Sequence, residues 1–423
     1  MTFTKTVLDN GLRIITAPQK DNPAVTVFVL VETGSEYESK DKNGISHFLE
    51  HMCFKGTKNR PRSIDISTEL DSVGAEYNAF TGHQYTGYFA KVDKRHFEKA
   101  LDVVSDIYLN QIFDPAEIEK ERGPVIEEIN LGEDTPTTNI YRVFPELLYG
   151  DQPAGWNILG PKEVIKSIQR DDFIAYLKDH YVASATTVVV AGSMDEASVI
   201  EKVKKAFEGI STGEKKKKPE IKISQDKPGL LVRQKSSDQS HIMLGVRSYN
   251  LFDERKYIAE VLADVLGGGM SSRLFQTIRG EMGAAYYVHA FTYELTDHGY
   301  LAARAGLGNE KLLGAVEAII GEFKKLKDEK VGEAELKKAK DHMIGGLMLG
   351  LETSDSVAEF YGFQELLTRN VLTPEEAVQK IEKVTADEIQ EVANDIFKDD
   401  KLNLAVIGPG GEEKALEQAL KVS

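Results

Sequence analysis

The sequence has few cysteines and no long hydrophobic run. Its 423 residues contain one cysteine, Cys53, which excludes a disulfide within the chain and is typical of a reducing compartment. No stretch approaches the roughly 20 apolar residues that span a bilayer. The N-terminus also lacks the charged and apolar regions of a signal peptide. These absences predict a cytoplasmic protein that does not enter a membrane.

Basic residues are also scarce relative to acidic ones. The chain has 52 lysines and arginines against 68 aspartates and glutamates, for a net charge of −16. Because nucleic-acid binding usually needs a basic surface, this balance argues against a nucleic-acid partner. Hydrophobic residues make up 41% of the chain, which excludes collagen-like and disordered classes. The length allows two to four domains.

Short β-branched runs alternate with amphipathic stretches in the first half of the chain. From this pattern we predict strands at 25–32, 88–92 and 187–191, and helices at 44–54, 63–73, 116–131 and 165–181. Strands and helices mixed in this way indicate an α+β protein.

The second half of the chain repeats the first. Residues 168–192 align with 384–408 without gaps, at an offset of 216, and Glu117 matches Glu335 at an offset of 218. Two nearly equal offsets in one order indicate an internal duplication. We therefore predict two homologous domains, each an antiparallel β-sheet packed with α-helices.

A lysine-rich segment separates the two copies. Residues 211–219 read STGEKKKKP, and like charges repel and extend a chain, so we interpret the segment as a solvated linker rather than a binding patch. The predicted domains are 1–212 and 220–423, with 213–219 as the linker.

The motif with the clearest chemistry lies in GISHFLEHMCFKGT. His47 and His51 are four residues apart, so on a helix they share a face and can bind one metal ion. Glu50 would lie beside the metal without ligating it, where a general base is needed. Cys53 follows closely, either as a small buried helix residue or as a thiol to which activity is sensitive.

A catalytic zinc site needs a third protein ligand. The acidic helix predicted over 116–131 offers Glu121 and Glu128, seven residues apart on one face, with Glu117 on the same stripe. Gly123-Pro124 interrupts this helix, and the proline predicts a kink.

The order H-x-x-E-H reverses the H-E-x-x-H motif and is the order found in inverzincins. With it, the sequence resembles the pitrilysin/insulinase family of zinc metallopeptidases, most closely its short-chain branch of mitochondrial and bacterial processing peptidases. In that family 76 residues separate the second histidine from a zinc-ligating glutamate. The resemblance thus implies Glu128, rather than its neighbour Glu127, as the third ligand, and Glu121 as a support of the metal site.

The same resemblance implies an activity. It predicts a zinc-dependent endopeptidase with one Zn²⁺ per chain, in which Glu50 is the general base on a zinc-bound water. The segment 74–81 (GAEYNAFT) resembles the edge strand that pairs with substrate in the family, which implies that Asn78, Ala79 and Phe80 bind the peptide. His83, just beyond, is interpreted as a polar loop residue.

The second half carries another family signature and lacks the metal site. Residues 266–286 (LGGGMSSRLFQTIRGEMGAAY) resemble the segment whose arginine and tyrosine stabilise the developing oxyanion, which implies this catalytic role for Arg279 and Tyr286. Glu260, Asp264 and Gly346 stand near the positions of the two histidines and the ligand glutamate.

Relatives of this family form a shell of four such domains, and the chain supplies two. The resemblance therefore implies a homodimer, or a heterodimer with an inactive homologue, that accepts extended peptides or unstructured protein segments. Arg279 and Tyr286 of one subunit would then serve the zinc site of the other. The alternative is a non-catalytic assembly subunit or a chaperone-like peptide-binding scaffold on the same fold.

Overall fold

The computed structural model describes residues 2–409 and 413–423. The strands are β1 Thr4–Val7, β2 Arg13–Pro18, β3 Ala24–Val31, β4 Glu76–Thr81, β5 Thr86–Asp93, β6 Thr186–Gly192, β7 Gly229–Gln234, β8 Gln239–Ser248, β9 Ala285–Glu294, β10 Gly299–Gly308 and β11 Asn403–Gly408. The helices are α1 Ile45–Cys53, α2 Ser63–Asp71, α3 Phe97–Leu109, α4 Pro115–Asp134, α5 Pro136–Tyr149, α6 Lys162–Ser167, α7 Arg170–His180, α8 Glu196–Ala206, α9 Lys256–Gly267, α10 Leu312–Asp328, α11 Glu333–Gly350, α12 Ser354–Thr368, α13 Pro374–Lys383, α14 Ala386–Ile396 and α15 Glu413–Ala419.

The chain divides into two compact units, and neither is one continuous stretch of sequence. Unit 1 comprises Met1–Ile129, Trp156–Pro219 and Met348–Glu375. Unit 2 comprises Asn130–Gly155, Glu220–Leu347 and Glu376–Ser423. Helix α12 therefore lies in unit 1 and helix α5 in unit 2. If each unit were one continuous half of the sequence, α5 would lie in unit 1 and α12 in unit 2. The predicted boundaries at 212 and 220 describe the sequence repeat and stay a prediction for the domains.

Unit 1 is built on a six-stranded sheet in the order β1-β2-β6-β3-β5-β4. Strands β2 and β6 are parallel, and the other neighbouring pairs are antiparallel. Helix α12 packs on β3 and β6, where the Thr26 and Ser354 hydroxyls are 2.8 Å apart. The apolar residues of β3 alternate between its two faces and are buried on both, which requires helices on each side of the sheet.

Unit 2 repeats this topology. Its five strands run in the order β7-β11-β8-β10-β9, with β7 and β11 parallel and the other pairs antiparallel. Strand for strand, this is the order and direction of β2-β6-β3-β5-β4. The prediction of an α+β protein with two related domains is confirmed, with one parallel pair in each mainly antiparallel sheet. The shared topology is what an internal duplication produces.

The lysine-rich segment contacts unit 1 instead of extending freely into solvent. The Lys218 ammonium lies 3.0 Å from the Glu36 carboxylate, and the Lys218 side chain is only 11% exposed. Lys215 pairs with Glu32, whereas Lys216 and Lys217 are exposed. Most residues of 211–219 are exposed, as expected of a solvated linker, but carboxylates of unit 1 hold the segment at two of its lysines. Its role as the linker between the domains stays a prediction.

Two local helix predictions needed correction. The helix expected over 165–181 is two helices, α6 and α7, because Gln169 has an extended backbone and its N–H donates to Asp172 in a capping box that begins α7. Helix α4, in contrast, continues through Pro124 without a break. Ile118 and Val125, which lie before and after the proline, are both buried, so tertiary packing holds this helix together.

No helix within residues 2–409 and 413–423 is long and apolar enough to cross a membrane. The cytoplasmic location stays a prediction.

Candidate metal centre

Helix α1 begins at a glycine that no other residue could easily replace. Gly44 has a left-handed backbone with φ of 98°, and a Cβ on it would lie 2.5 Å from the carbonyl oxygen of Leu159. The N–H groups of Gly44 and Ser46 donate to the Glu38 carboxylate at 2.7 and 2.8 Å. Glu38 thus satisfies backbone donors that the start of a helix leaves unpaired. Sequence reasoning missed Glu38, because it lies well before the helix begins.

Because the Glu38 carboxyl is buried, we expect the stability of the protein to depend on pH. Burial raises the pKa of Glu38 from 4.5 to about 7, against the hydrogen bonds donated by Ser46, Asn43 and Gly44. Between these values the folded protein keeps a proton that the unfolded chain has lost, so stability falls as pH rises through this window. Relative to Glu38→Gln, we expect the wild-type free energy of unfolding to decrease by about 3 kcal/mol from pH 4.5 to 7.

Urea unfolding of both proteins at a series of pH values measures this difference. Other titrating groups contribute equally to the two proteins and cancel in the comparison. Parallel stability curves for wild type and Glu38→Gln would contradict the prediction.

The two histidines of α1 and one glutamate of α4 converge. His47 and His51 lie on one face of α1, with ring centroids 4.6 Å apart. Their Nε2 atoms lie 3.3 and 3.5 Å from Oε2 of Glu128, and the three ligand atoms lie within 4.8 Å of one another. Glu128, not its neighbour Glu127, is the residue that joins the histidines.

This arrangement fits a zinc ion. Two ligand atoms at about 2.0–2.1 Å from a tetrahedral zinc lie about 3.3 Å apart, and the two histidine-to-carboxylate distances of 3.3 and 3.5 Å are close to that value. Two imidazoles and one carboxylate are also a donor set of catalytic zinc sites, which keep a further position for water or substrate. His47, His51 and Glu128 would therefore hold the metal.

The short distances within this cluster also shift the pKa values of His51 and Glu128 in the protein without metal. Burial opposes the charged form of His51, but hydrogen bonds to Glu121 and Glu128 outweigh it and raise the pKa of His51 to about 9. Hydrogen bonds from His47 and His51 hold the pKa of Glu128 well below its usual range. Negative charge around the imidazoles thus favours a bound positive charge at this point.

Glu121 contacts His51 at the ring nitrogen that does not face Glu128. Its Oε1 lies 3.0 Å from Nδ1 of His51, and its Oε2 lies 2.6 Å from the Lys55 ammonium. A carboxylate at Nδ1 keeps the proton on that nitrogen and leaves Nε2 to face Glu128. The structure therefore places Glu121 where the resemblance implied a support of the metal site.

Glu50 lies on α1 beside this cluster, with its carboxylate in contact with strand β4. Burial raises the pKa of Glu50 above its usual value, although His47 and a hydrogen bond from Thr81 oppose the shift. The Thr81 hydroxyl donates to Glu50 Oε2 at 2.7 Å. A raised pKa suits a general base, which works best with a pKa near the working pH.

Strand β4 is the last strand at one end of its sheet, as the resemblance implied. Its neighbour β5 pairs with it from Glu76 to Thr81. The Asn78 side chain accepts a hydrogen bond from the Ala79 N–H at 2.9 Å, and the Phe80 ring packs against aromatic neighbours, with its centroid 5.8 Å from that of Phe28. The structure thus places Asn78, Ala79 and Phe80 on an edge strand, and their contact with a peptide stays a prediction.

His83 lies in the loop after β4 and is not part of the metal cluster. Its Nδ1 lies 3.1 Å from the Ser35 hydroxyl, and the group formed by His47, His51 and Glu128 does not include it.

Arg279 and Tyr286 both lie in unit 2. Arg279 belongs to a π-helical turn, Phe275–Glu281, a rare conformation that is frequent at functional sites, and its guanidinium lies 5.1 Å from the centroid of the Phe275 ring. Tyr286 is on strand β9 and is 64% exposed. The oxyanion role that the resemblance implies for Arg279 and Tyr286 stays a prediction.

Other residues occupy the equivalent positions of unit 2. Asp264 of α9 lies in hydrogen-bond distance of His342 of α11, with Oδ1 and Nδ1 2.7 Å apart, and Gly346 offers no side chain.

Cys53 is fully buried at the end of α1. Its Sγ lies 3.5 Å from both the Tyr88 hydroxyl and Gln111 Nε2, and burial raises the pKa of the thiol to about 12. The reactive form of cysteine is the thiolate, so the environment favours the interpretation of Cys53 as a small buried helix residue.

Two family models match the chain. Insulinase (peptidase family M16) matches residues 13–162, and the peptidase M16 inactive domain matches residues 167–343. A protein of Bacillus subtilis (strain 168) named uncharacterized zinc protease YmxG is 36% identical over 407 residues, covering 95% of this chain and 97% of that protein. An uncharacterized zinc protease of Rickettsia felis is 34% identical, covering 96% and 98%.

Solved structures share the whole fold. A protease from Helicobacter pylori superposes with a TM-score of 0.88 at 25% identity, covering 96% of this chain and 99% of that chain. A peptidase M16 inactive domain from Pseudomonas fluorescens has a TM-score of 0.89 at 14% identity, covering 97% of this chain and 99% of that chain. At this low identity the similarity shows a shared fold and nothing more. The two family models and the similar zinc proteases confirm the family resemblance seen in the sequence. The chain belongs to the insulinase family, peptidase family M16.

Proposed function

We propose that the chain is a zinc-dependent endopeptidase that hydrolyses peptide bonds in extended peptides or unstructured protein segments. The observation that carries this proposal is the cluster of His47, His51 and Glu128 with the Glu50 carboxylate beside it. Relatives named zinc proteases support the choice of metal and of reaction class.

Glu50 is the group that moves protons in this proposal. When bound, zinc would polarise the scissile carbonyl and lower the pKa of water from 15.7 to about 7. Glu50 accepts a proton from the attacking water and then delivers it to the leaving amine. The edge of β4 binds the substrate backbone as an added strand, which selects extended chains over folded ones.

Arg279 and Tyr286 complete the proposed chemistry from unit 2. Their side chains would donate hydrogen bonds where negative charge develops on the scissile carbonyl oxygen, and one such donor contributes about 3 kcal/mol to catalysis. We further propose a homodimer in which this pair serves the zinc site of the partner subunit. Mixing Glu50→Gln with Arg279→Ala chains should then restore cleavage that neither variant has alone.

The direct test is cleavage of a library of unstructured peptides, read by mass spectrometry. We expect cleavage that stops with the chelator 1,10-phenanthroline, continues with its non-chelating 1,7 isomer, and returns when zinc is added back. A folded protein of similar size, added as a second substrate, should stay intact. If the purified protein contains no zinc and shows no chelator-sensitive cleavage, the proposal is refuted. That result would favour a peptide-binding scaffold or an assembly subunit.

A further inference from the structure

The Glu50 carboxylate has one hydrogen-bond partner within residues 2–409 and 413–423, and that partner is Thr81. The Thr81 hydroxyl donates to Oε2 at 2.7 Å, across 31 residues of sequence. The other oxygen, Oε1, has no hydrogen bond from the described protein. One oxygen is therefore anchored and the other is left for chemistry.

Thr81 itself is held in a defined place. It is the last residue of β4 and pairs with Thr86 of β5, and the next residue, Gly82, donates from its N–H to the carbonyl of Tyr85 at 2.8 Å. The Gly82 carbonyl in turn accepts from the Ser35 N–H at 3.2 Å. A hairpin closed at its tip and bonded to a second loop leaves the Thr81 backbone little freedom.

The second loop also holds helix α1. A Cβ on Gly34 would lie 2.2 Å from the Gly82 carbonyl oxygen, so the loop and the hairpin approach as closely as their backbones allow. Four residues further on, Glu38 accepts the N–H groups of Gly44 and Ser46 at the start of α1. The loop from Gly34 to Glu38 thus fixes the distance between the hairpin that carries Thr81 and the helix that carries Glu50.

We propose that Thr81 is a positioning residue that fixes the orientation of the Glu50 carboxylate. The inference rests on the proposed function, since it takes Glu50 as the general base. A glutamate has three rotatable side-chain bonds, and a misplacement of about 1 Å can cost 100-fold in rate. The Thr81 hydrogen bond selects one orientation, keeps Oε2 occupied and directs Oε1 to the proton it must take.

This role links substrate binding to proton transfer. Thr81 belongs to the edge strand on which the peptide is proposed to lie, one residue beyond Phe80. The strand that the peptide is proposed to join therefore also carries the hydroxyl that holds Glu50. A threonine that only contacts the substrate would instead affect binding, so the two roles differ in which kinetic constant changes.

The test compares Thr81→Val, which keeps the branched shape and removes the hydroxyl, with Thr81→Ser, which keeps the hydroxyl. We expect Thr81→Val to lower kcat by about 10–100-fold, with KM and zinc content unchanged. Thr81→Ser should stay within about threefold of wild type. Thr4→Val, the same change at an exposed position in β1 at the opposite edge of the sheet, is the matched control.

Crystal structures of Thr81→Val and Thr81→Ser give a readout that does not depend on turnover. We expect Glu50 in more than one orientation in the valine variant and in one orientation in the serine variant. A wild-type protein without activity would refute the proposed function, whereas these structures would still report on Thr81. Glu50 unchanged in Thr81→Val would overturn the inference.

Three further outcomes would also overturn it. A higher KM with unchanged kcat would make Thr81 a substrate contact. An equal loss in the serine and valine variants would show that the hydroxyl is not what matters. Loss of zinc or of cooperative unfolding in both Thr81→Val and Thr81→Ala would assign Thr81 a structural role.

Discussion

Glu50→Gln is expected to lower peptide cleavage by about 1,000-fold or more while zinc stays bound. Glutamine has the same shape and can still accept the Thr81 hydrogen bond at its carbonyl oxygen, but an amide does not accept a proton at neutral pH. Removal of a general base costs about 100- to 10,000-fold in rate, and Glu50 is not one of the three residues of the candidate metal centre. The measurement is the initial rate on a single peptide together with zinc content by mass spectrometry.

Two results would contradict the role given to Glu50. One is cleavage at close to the wild-type rate by Glu50→Gln, which would require another base. The other is loss of zinc from this variant, which would make Glu50 a ligand. Glu50→Asp is a useful second variant, because it keeps the carboxylate but withdraws it by one methylene from Thr81 and from the substrate.

Glu128→Gln is expected to lose both zinc and activity, whereas Glu127→Gln should keep both. The Glu128 carboxylate is in contact with both histidines, and an amide oxygen lacks the charge that holds a divalent cation. Glu127 is next in sequence but lies outside the cluster, so the pair is a matched comparison of two glutamates one residue apart. We expect zinc affinity to fall by more than about 100-fold in Glu128→Gln, beyond the 10–100-fold typical of residues that only support ligands.

Competition with a zinc-binding dye measures this affinity, and the activity of each variant follows in the same preparation. Zinc retained by Glu128→Gln and lost by Glu127→Gln would mean that the ligand spacing implied by the family does not apply to this chain. Loss from both variants would instead show that this part of α4 tolerates neither substitution.

Local geometry made much of the site predictable from sequence. His47 and His51 had to share a face because an α-helix has 3.6 residues per turn, and the structure shows their rings side by side. The repeat of 168–192 at 384–408 likewise predicted two related domains, and the two sheets share one strand order. The choice of Glu128 over Glu127 rested on the family spacing together with the alternation against Ile126 and Ile129.

Contacts between distant segments were beyond the reach of the sequence. Nothing in the pattern indicated that Glu38 would bond to the start of α1 or that the Thr81 hydroxyl would reach Glu50. Both contacts depend on the path of the loop between β3 and α1. The extended strand GAEYNAFT could be predicted, but the orientation of its last side chain could not.

The shortage of cysteine and basic residues, the H-x-x-E-H motif and the internal repeat determined by themselves the class of protein, the number of related domains and two residues of the candidate metal centre. Those properties follow from composition and from interactions within a few residues. Tertiary structure alone decided the convergence of Glu128 with the histidines, the anchoring of Glu50 by Thr81, and the placement of α5 and α12 in the units opposite their sequence halves. The physical reason is that burial of apolar faces fixes how distant helices and strands pack, and no local pattern encodes that register.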